Sequence, residues 1–239
     1  MNSSCLDSIL VIIPVLNEEA TLEKVIQTLQ SYGLMQIWVV DNGSRDRSAE
    51  IAVRAGATVL SEPVSGYGRA CWCGLQQVPV STQWILFCDG DGSDDLSVLP
   101  QWLTLRDRFD LILGDRTATA AGRSAMTPVQ RFGNGLATTL IQWGWGYRYH
   151  DLGPLRLIRH AALDRIQMQD RGFGWTVEMQ VRAIECGLRI CELAVHYRCR
   201  QGGRSKISGT LRGSMQAGVI ILGTLGRLYS QRLVRWMKG

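Results

Sequence analysis

Asp89-Gly90-Asp91-Gly92-Ser93-Asp94-Asp95 places four carboxylates within seven residues, directly after Cys88 and the apolar run Trp84-Ile85-Leu86-Phe87. Like charges at this density repel one another unless a cation or hydrogen-bond donors offset them. Asp89 and Asp91 stand in Asp-x-Asp spacing, and oxygen ligands with no histidine nearby favour a hard ion, Mg2+ or Mn2+. Such an ion could bridge the two carboxylates to a substrate diphosphate. The same stretch can also be an acidic turn that caps a helix over 96–105, with Asp94 or Asp95 at its start.

The elements that must position these acids alternate in type. Ile9-Leu10-Val11-Ile12-Ile13 is a continuous, β-branched run ended by Pro14, which predicts a buried strand over 8–14. Asn17 is a candidate cap for the helix that follows, where Leu22, Val25, Ile26 and Leu29 repeat at helical spacing until Gly33. A strand over 37–40, a helix through Ile51, Ala52 and Ala55, and a short strand over 57–60 come next. This rhythm predicts an α/β fold of βαβ units on a mostly parallel sheet, whose ligands sit beyond the carboxyl ends of the strands. Three such ends carry Pro14-Val15-Leu16-Asn17-Glu18, Asp41-Asn42-Gly43-Ser44 and Asp89-Gly90-Asp91, so one crevice should collect them. Gly66-Tyr67-Gly68-Arg69 opens a helix to about Val78; it could let backbone approach a phosphate, or be a plain turn.

Past a strand over 110–113 and Gly114-Asp115-Arg116 the rhythm changes. Thr117 to Thr127 is small and polar and predicts a mobile loop. Helices over 129–145 and from Trp175 through Val177, Val181 and Ile184, and strands over 151–158 and 189–197, complete the expected order. Leu211, Met215, Val219, Leu222, Leu225 and Tyr229 then mark a final helix whose uncharged interval, Gly213 to Gly226, is too short for the roughly 20 residues of a membrane span. It can lie on an anionic surface as a basic amphipathic helix, or dock on the core with solvated arginines.

Charge is distributed unevenly. Of 26 basic and 21 acidic residues, nine basic and no acidic ones fall from Ala194 onward, leaving a body of net −4 and a tail of net +9. Such a tail seeks phosphates on a membrane, a substrate or a nucleic acid. Nucleic acid is disfavoured because the tail lacks interleaved aromatics and the body is acidic. The seven cysteines are odd in number and scattered, which predicts reduced thiols, and Cys71-x-Cys73 has no second pair to complete a zinc site. With no basic leader before the short run Ile9–Ile13, a cytoplasmic chain is expected.

Val11-Ile-Ile-Pro-Val-Leu-Asn-Glu18, Val40-Asp-Asn-Gly-Ser-Arg-Asp46, Asp89-Gly-Asp91, Gln130-Arg-Phe-Gly-Asn134, Asp151-Leu-Gly-Pro-Leu-Arg156 and Gly203-Arg-Ser-Lys206 together resemble the inverting family 2 glycosyltransferases, in particular the dolichyl-phosphate mannose synthase-like group. The resemblance covers nearly the whole chain. It implies a GT-A (Rossmann-like) fold in which 1–115 binds a nucleoside-diphosphate sugar, 116–208 binds the acceptor, and 209–239 is a basic amphipathic helix. On the donor side it implies Pro14, Glu18 and Asp41 for the base and ribose and Asp89 and Asp91 for the metal and diphosphate; Leu16, Asn17, Gly43, Gly90 and, from the glycine turn, Gly68 and Arg69 are further donor-side candidates. For the phosphate of a polyprenyl or dolichyl phosphate acceptor it implies Arg116, Arg131, Arg204 and Lys206, and Arg156 is a further candidate. Relatives often carry a second acid at the Asn42 position and Leu-Gln where Gly92-Ser93 stands here.

The expected activity is transfer of a hexose, from a GDP-mannose or UDP-glucose type of donor, to a polyprenyl phosphate. The setting is the cytoplasmic face of a membrane, peripherally bound or recruited by a membrane subunit. A phosphate oxygen is already an anion and needs no base; Asp91 then acts through the leaving diphosphate. A hydroxyl acceptor in a soluble transferase would instead need a carboxylate to take its proton, and Glu178 or Asp151 is the candidate. Pairing with an arginine is the structural alternative for Glu178. A nucleotide-sugar binding protein without turnover is the third possibility.

Overall fold

The structure is a computed structural model that describes residues 6–198 and 211–238. Seven strands form one sheet: β1 (Ile9–Val15), β2 (Gln36–Asp41), β3 (Thr58–Ser61), β4 (Trp84–Phe87), β5 (Leu111–Asp115), β6 (Arg156–Arg159) and β7 (Ile190–Ala194), in the order β3-β2-β1-β4-β6-β5-β7. β6 runs antiparallel to both β4 and β5, and every other pairing is parallel. The helices are α1 (Leu22–Ser31), α2 (Ser48–Arg54), α3 (Tyr67–Leu75), α4 (Leu99–Leu105), α5 (Ala120–Ala125), α6 (Pro128–Trp145), α7 (His160–Ile166), α8 (Trp175–Glu185) and α9 (Leu211–Lys238).

Both faces of the sheet are covered, which is why its central strands are apolar without alternation. Ile9, Val11 and Ile13 of β1 pack with Leu22, Ile26 and Leu29 of α1 and Trp102 of α4. Leu10 and Ile12 face the opposite way, toward Ala70 of α3, Ile141 of α6 and Trp175 of α8. Pro14 is tolerated in this central strand because the β1–β4 pairing ends at Ile12 opposite Phe87, before the missing N–H would matter.

Three expectations are corrected. Asn17 does not cap α1: it adopts a left-handed conformation (φ +52°), and the helix begins five residues later, after Thr21. The stretch over 117–127 is ordered secondary structure rather than an irregular loop, with a 3-10 turn Arg116–Ala118 and then α5. Asp115 accepts from the Thr117 and Ala118 N–H groups and Thr119 accepts from Gly122 N–H, so side-chain caps replace the apolar periodicity that a helix prediction needs. The short helix α7 is an addition to the expected order.

The last helix is a docked element. Leu225 and Leu228 are buried, the Tyr229 ring meets Trp145 at 4.7 Å, and the Tyr229 hydroxyl donates to the Leu140 carbonyl. A side chain at Gly144 would collide with that tyrosine, its Cβ lying 2.5 Å from the ring. The outer strip of α9 remains uncovered, with Val219, Leu222, Leu233, Trp236 and Met237 exposed, as are Phe132 and Trp143 of α6. No helix among the described residues is long and apolar enough to cross a membrane.

Candidate active site

The carboxyl ends of β1, β2, β4, β5 and β7 and the start of the reversed β6 meet along one edge of the sheet. Two loops interlock at its β1–β2 end. Asn17 N–H donates to Ser44 Oγ at 2.9 Å and Glu18 N–H to Ser48 Oγ at 2.8 Å. In return, Arg45 N–H donates to Asn17 Oδ1 at 2.6 Å and Ser44 N–H to Asp41 Oδ1 at 3.1 Å. Asp41, Leu16 and Pro14 are half-buried, Glu18 is buried and Gly43 is exposed with φ +85°, so the first donor-side cluster is brought together.

Asn42 explains why an amide stands where relatives often have an acid. Its Nδ2 donates to the carbonyls of Glu62 (2.9 Å) and Val64 (2.8 Å), and its Oδ1 accepts from Gly66 N–H (2.7 Å). Only an amide offers two donors and an acceptor in this arrangement. The loop over 62–66 is thereby tied to the end of β2.

One local device recurs at the acidic turns. In Asp46-x-Ser48, Asp91-x-Ser93, Asp95-x-Ser97 and Asp115-x-Thr117 the first Oδ1 accepts both the N–H and the hydroxyl of the residue two positions on, the hydroxyl each time at 2.6 Å. These Asx-type turns aim each carboxylate. Gly92 supplies the φ of +72° that the Asp91 turn uses, which accounts for Gly92-Ser93. The same spacing is visible in the sequence and is the overlooked signal for Ser48, Ser93, Ser97 and Thr117. Asp95 does cap the turn before α4, in line with one of the two sequence readings.

Asp91 is buried, Asp89 half-buried, and Asp89 N–H donates to Asp94 Oδ2 at 2.8 Å. Burial, with Asp91 close by, pushes the Asp94 carboxyl up to about 7, against the pull of the Asp89 N–H bond. The Gly90 carbonyl accepts from Thr21 Oγ1 at 2.8 Å, tying the acidic turn to the start of α1. No group of three or more His, Cys, Asp or Glu side chains among the described residues could hold an ion by itself. Two carboxylates on one turn suit a hard ion whose remaining positions come from phosphate oxygens and water, as Mg2+ sites commonly do.

The second half contributes a fixed cation. Arg116 donates from Nε to Asp151 Oδ2 at 2.7 Å and from Nη2 to Asp151 Oδ1 at 2.8 Å, and its cation lies 5.0 Å from the centre of the Tyr197 ring. Burial opposes the charge, but the Asp151 carboxylate outweighs it and raises the guanidinium pKa. Asn134 braces this pair, accepting from Leu152 N–H at 2.9 Å and donating to the His150 carbonyl at 3.0 Å. Arg131 is exposed at the start of α6, and Arg69 is exposed on α3. Arg204 and Lys206 lie outside the described residues.

Three assignments are corrected by packing. Arg156 is fully buried, its guanidinium bound to the carbonyls of Gly153 and Thr176 and beside Met179 Sδ, so no acceptor phosphate can reach it. Glu178 is fully buried: Oε2 accepts the Gln169 and Asp170 N–H groups at 2.8 and 2.6 Å, and Oε1 accepts from Arg227 at 3.2 Å. It cannot take a proton from a substrate. Gly68 is required for close packing rather than as a phosphate cradle, since a Cβ there would lie 2.6 Å from the Gly172 carbonyl oxygen.

A mostly parallel α/β sheet covered on both faces, with an Asp-x-Asp turn in the crevice at its carboxyl edge, is the GT-A architecture of nucleotide-sugar transferases. The chain belongs to glycosyl transferase family 2, whose family model matches residues 10–167. It is a glycosyltransferase. It is 38% identical over 216 residues to the uncharacterized glycosyltransferase Rv0539 of Mycobacterium tuberculosis, covering 88% of this chain and 94% of that one. It is 28% identical to a dolichyl-phosphate hexose transferase of Haloferax volcanii, covering 84% and 88%. Among solved structures it matches glucosyl-3-phosphoglycerate synthase from Mycobacterium tuberculosis, crystallised with Mn2+, UDP-glucose and phosphoglyceric acid, with a TM-score of 0.75 at 20% identity over 95% of this chain and 82% of that one.

Proposed function

We propose that this chain transfers a hexose, with inversion, from a nucleoside-diphosphate sugar to a polyprenyl phosphate at the cytoplasmic surface of a membrane. The observation that carries this reading is the state of the two carboxylates that could serve a hydroxyl acceptor. Asp151 is locked by three hydrogen bonds from Arg116, and Glu178 is buried with both oxygens bonded. An acceptor that arrives already ionised needs neither.

In this reading the loops around Asp41 and Glu18 hold the nucleoside, and Asp89 and Asp91 hold a divalent ion with the diphosphate. When bound, the ion supplies neutralisation of the charge that develops on the leaving diphosphate. Arg131, with Arg204 and Lys206 of the basic segment, receives the acceptor phosphate. The acceptor oxygen attacks the anomeric carbon opposite the departing diphosphate, so one C–O bond forms as another breaks and no proton moves.

The membrane setting is supported by the uncovered strip of α9 and α6, where Trp236 is 80% and Trp143 78% exposed, and by the acid-free, basic tail. Aromatic side chains beside basic ones suit the bilayer interface. The relative named for dolichyl-phosphate hexose transfer supports the lipid phosphate, whereas the likeness to glucosyl-3-phosphoglycerate synthase motivates a hydroxyl acceptor as the competing outcome.

Presenting polyprenyl phosphate, the dephosphorylated polyprenol and 3-phosphoglycerate side by side tests the choice. Transfer to the phosphorylated lipid alone is expected. Transfer to polyprenol or to 3-phosphoglycerate would overturn the reading.

A further inference from the structure

We propose that Thr224 and Arg227 of the last helix are positioning residues for the donor crevice, acting through Asp170 and Glu178 on the Gly66–Gly68 turn that Asn42 ties to the end of β2. The proposal rests on the donor-site reading above and concerns a part of the chain far from it in sequence.

The contacts form a continuous path. Thr224 Oγ1 donates to Asp170 Oδ2 at 2.9 Å, and Arg227 donates to Gln169 Oε1 at 3.1 Å and to Glu178 Oε1 at 3.2 Å. Glu178 in turn fixes the Gln169 and Asp170 N–H groups, and Asp170 Oδ1 accepts from Gly172 N–H at 2.7 Å. At Gly174 there is no room for a side chain, since a Cβ would lie 2.1 Å from Thr224 Oγ1 and 2.3 Å from Asp170 Oδ2. The segment over 169–174 is therefore shaped from α9 and α8.

The same segment shapes α3. Trp72 Nε1 donates to the Asp170 carbonyl at 3.1 Å, Gly68 N–H donates to the Gly172 carbonyl at 3.1 Å, and the Arg171 cation lies 3.9 Å from the Trp72 ring centre. Between Gly66 and Gly68 sits the half-buried Tyr67. Gly66 N–H is held by Asn42, and Asn42 N–H by the Val15 carbonyl, so the turn is clamped between the ends of β1 and β2 and the segment over 169–174. Loosening α9 at Thr224 or Arg227 removes the outer jaw of that clamp without substituting any donor-side residue.

Arg235 is the internal control. It lies on the same helix and pairs with Glu185 of α8, outside the segment over 169–174. Binding of Mn2+ with UDP, and separately with GDP, would be measured by calorimetry on the full chain and on Arg227→Ala, Arg227→Lys, Thr224→Val and Arg235→Ala, with amide exchange followed over 64–75. Arg227→Ala is expected to weaken nucleotide binding about tenfold and to speed exchange at Gly68 and Trp72. Arg227→Lys should recover part of both, Thr224→Val should shift both in the same direction by less, and Arg235→Ala should change neither. A parent that binds nucleotide while Arg227→Ala binds equally well overturns the proposal alone, and so does an equal loss in Arg235→Ala. A parent that binds neither nucleotide overturns the donor-site reading and this proposal together.

Discussion

Exchanging one nitrogen for an oxygen at Asn42 would set a carboxylate against the carbonyls of Glu62 and Val64, which now receive its two N–H bonds. Asn42→Asp is expected to cost roughly 2–3 kcal/mol in stability, from two carbonyls left without donors and a charge placed against them, readable by urea unfolding. Glu178→Gln separates a clamp from a base: a lost base lowers kcat by roughly 10²–10⁴-fold, whereas the amide here should leave kcat within about tenfold. The acidic turn over 89–95 was legible because its carboxylates stand close together in sequence. Arg156 and Glu178 misled because only the packed fold shows that Arg156 is sealed under Gly153 and Thr176 and that Glu178 closes on Arg227.

Elements with their own period were legible, and those held by distant partners were not. β1, β2 and β4 declared themselves as apolar runs, since both faces of the sheet are covered. The reversal of β6 carries no local signature; it follows from pairing with β4 on one side and β5 on the other. The docking of α9 was one of the two readings its apolar spacing allowed and is open to test: Gly144→Val should push Tyr229 off α6, lower stability by about 1–3 kcal/mol and expose α9 to limited proteolysis. At the other end of the sheet, hydrogen bonds from Arg189 hold the Asp110 carboxyl down at about 2, below its usual 3.8, and join the starts of β5 and β7. Because the folded value is the lower one, this contribution is present above the unfolded value and is lost as pH falls from about 4 toward 2. The stability of the parent should therefore fall over that window more than that of Asp110→Asn; parallel pH profiles would contradict the assignment.

For the molecule as a whole, the proposed reading has the donor crevice and the uncovered strip of α6 and α9 serve one reaction. The tail's charge was visible in the sequence, but not that Arg227 and Arg235 pair with Glu178 and Glu185. What the helix presents outward is largely apolar, including Leu233, Trp236 and Met237. Removing two such side chains, in Trp236→Ser with Met237→Ser, should weaken binding to phosphatidylglycerol vesicles by tenfold or more, given roughly 1.5–3 kcal/mol for burying each. Equal sedimentation of parent and variant would rule the strip out as the membrane contact. The most direct measurement of the central claim is transfer from radiolabelled UDP- and GDP-sugars, with Mn2+ or Mg2+ and polyprenyl phosphate, into a lipid-extractable product. The account predicts a mild-acid-labile glycolipid from one donor, lost on chelation and in Asp91→Ala. Donor binding with no label in the lipid, and label instead in a hydroxyl-bearing acceptor, would contradict it.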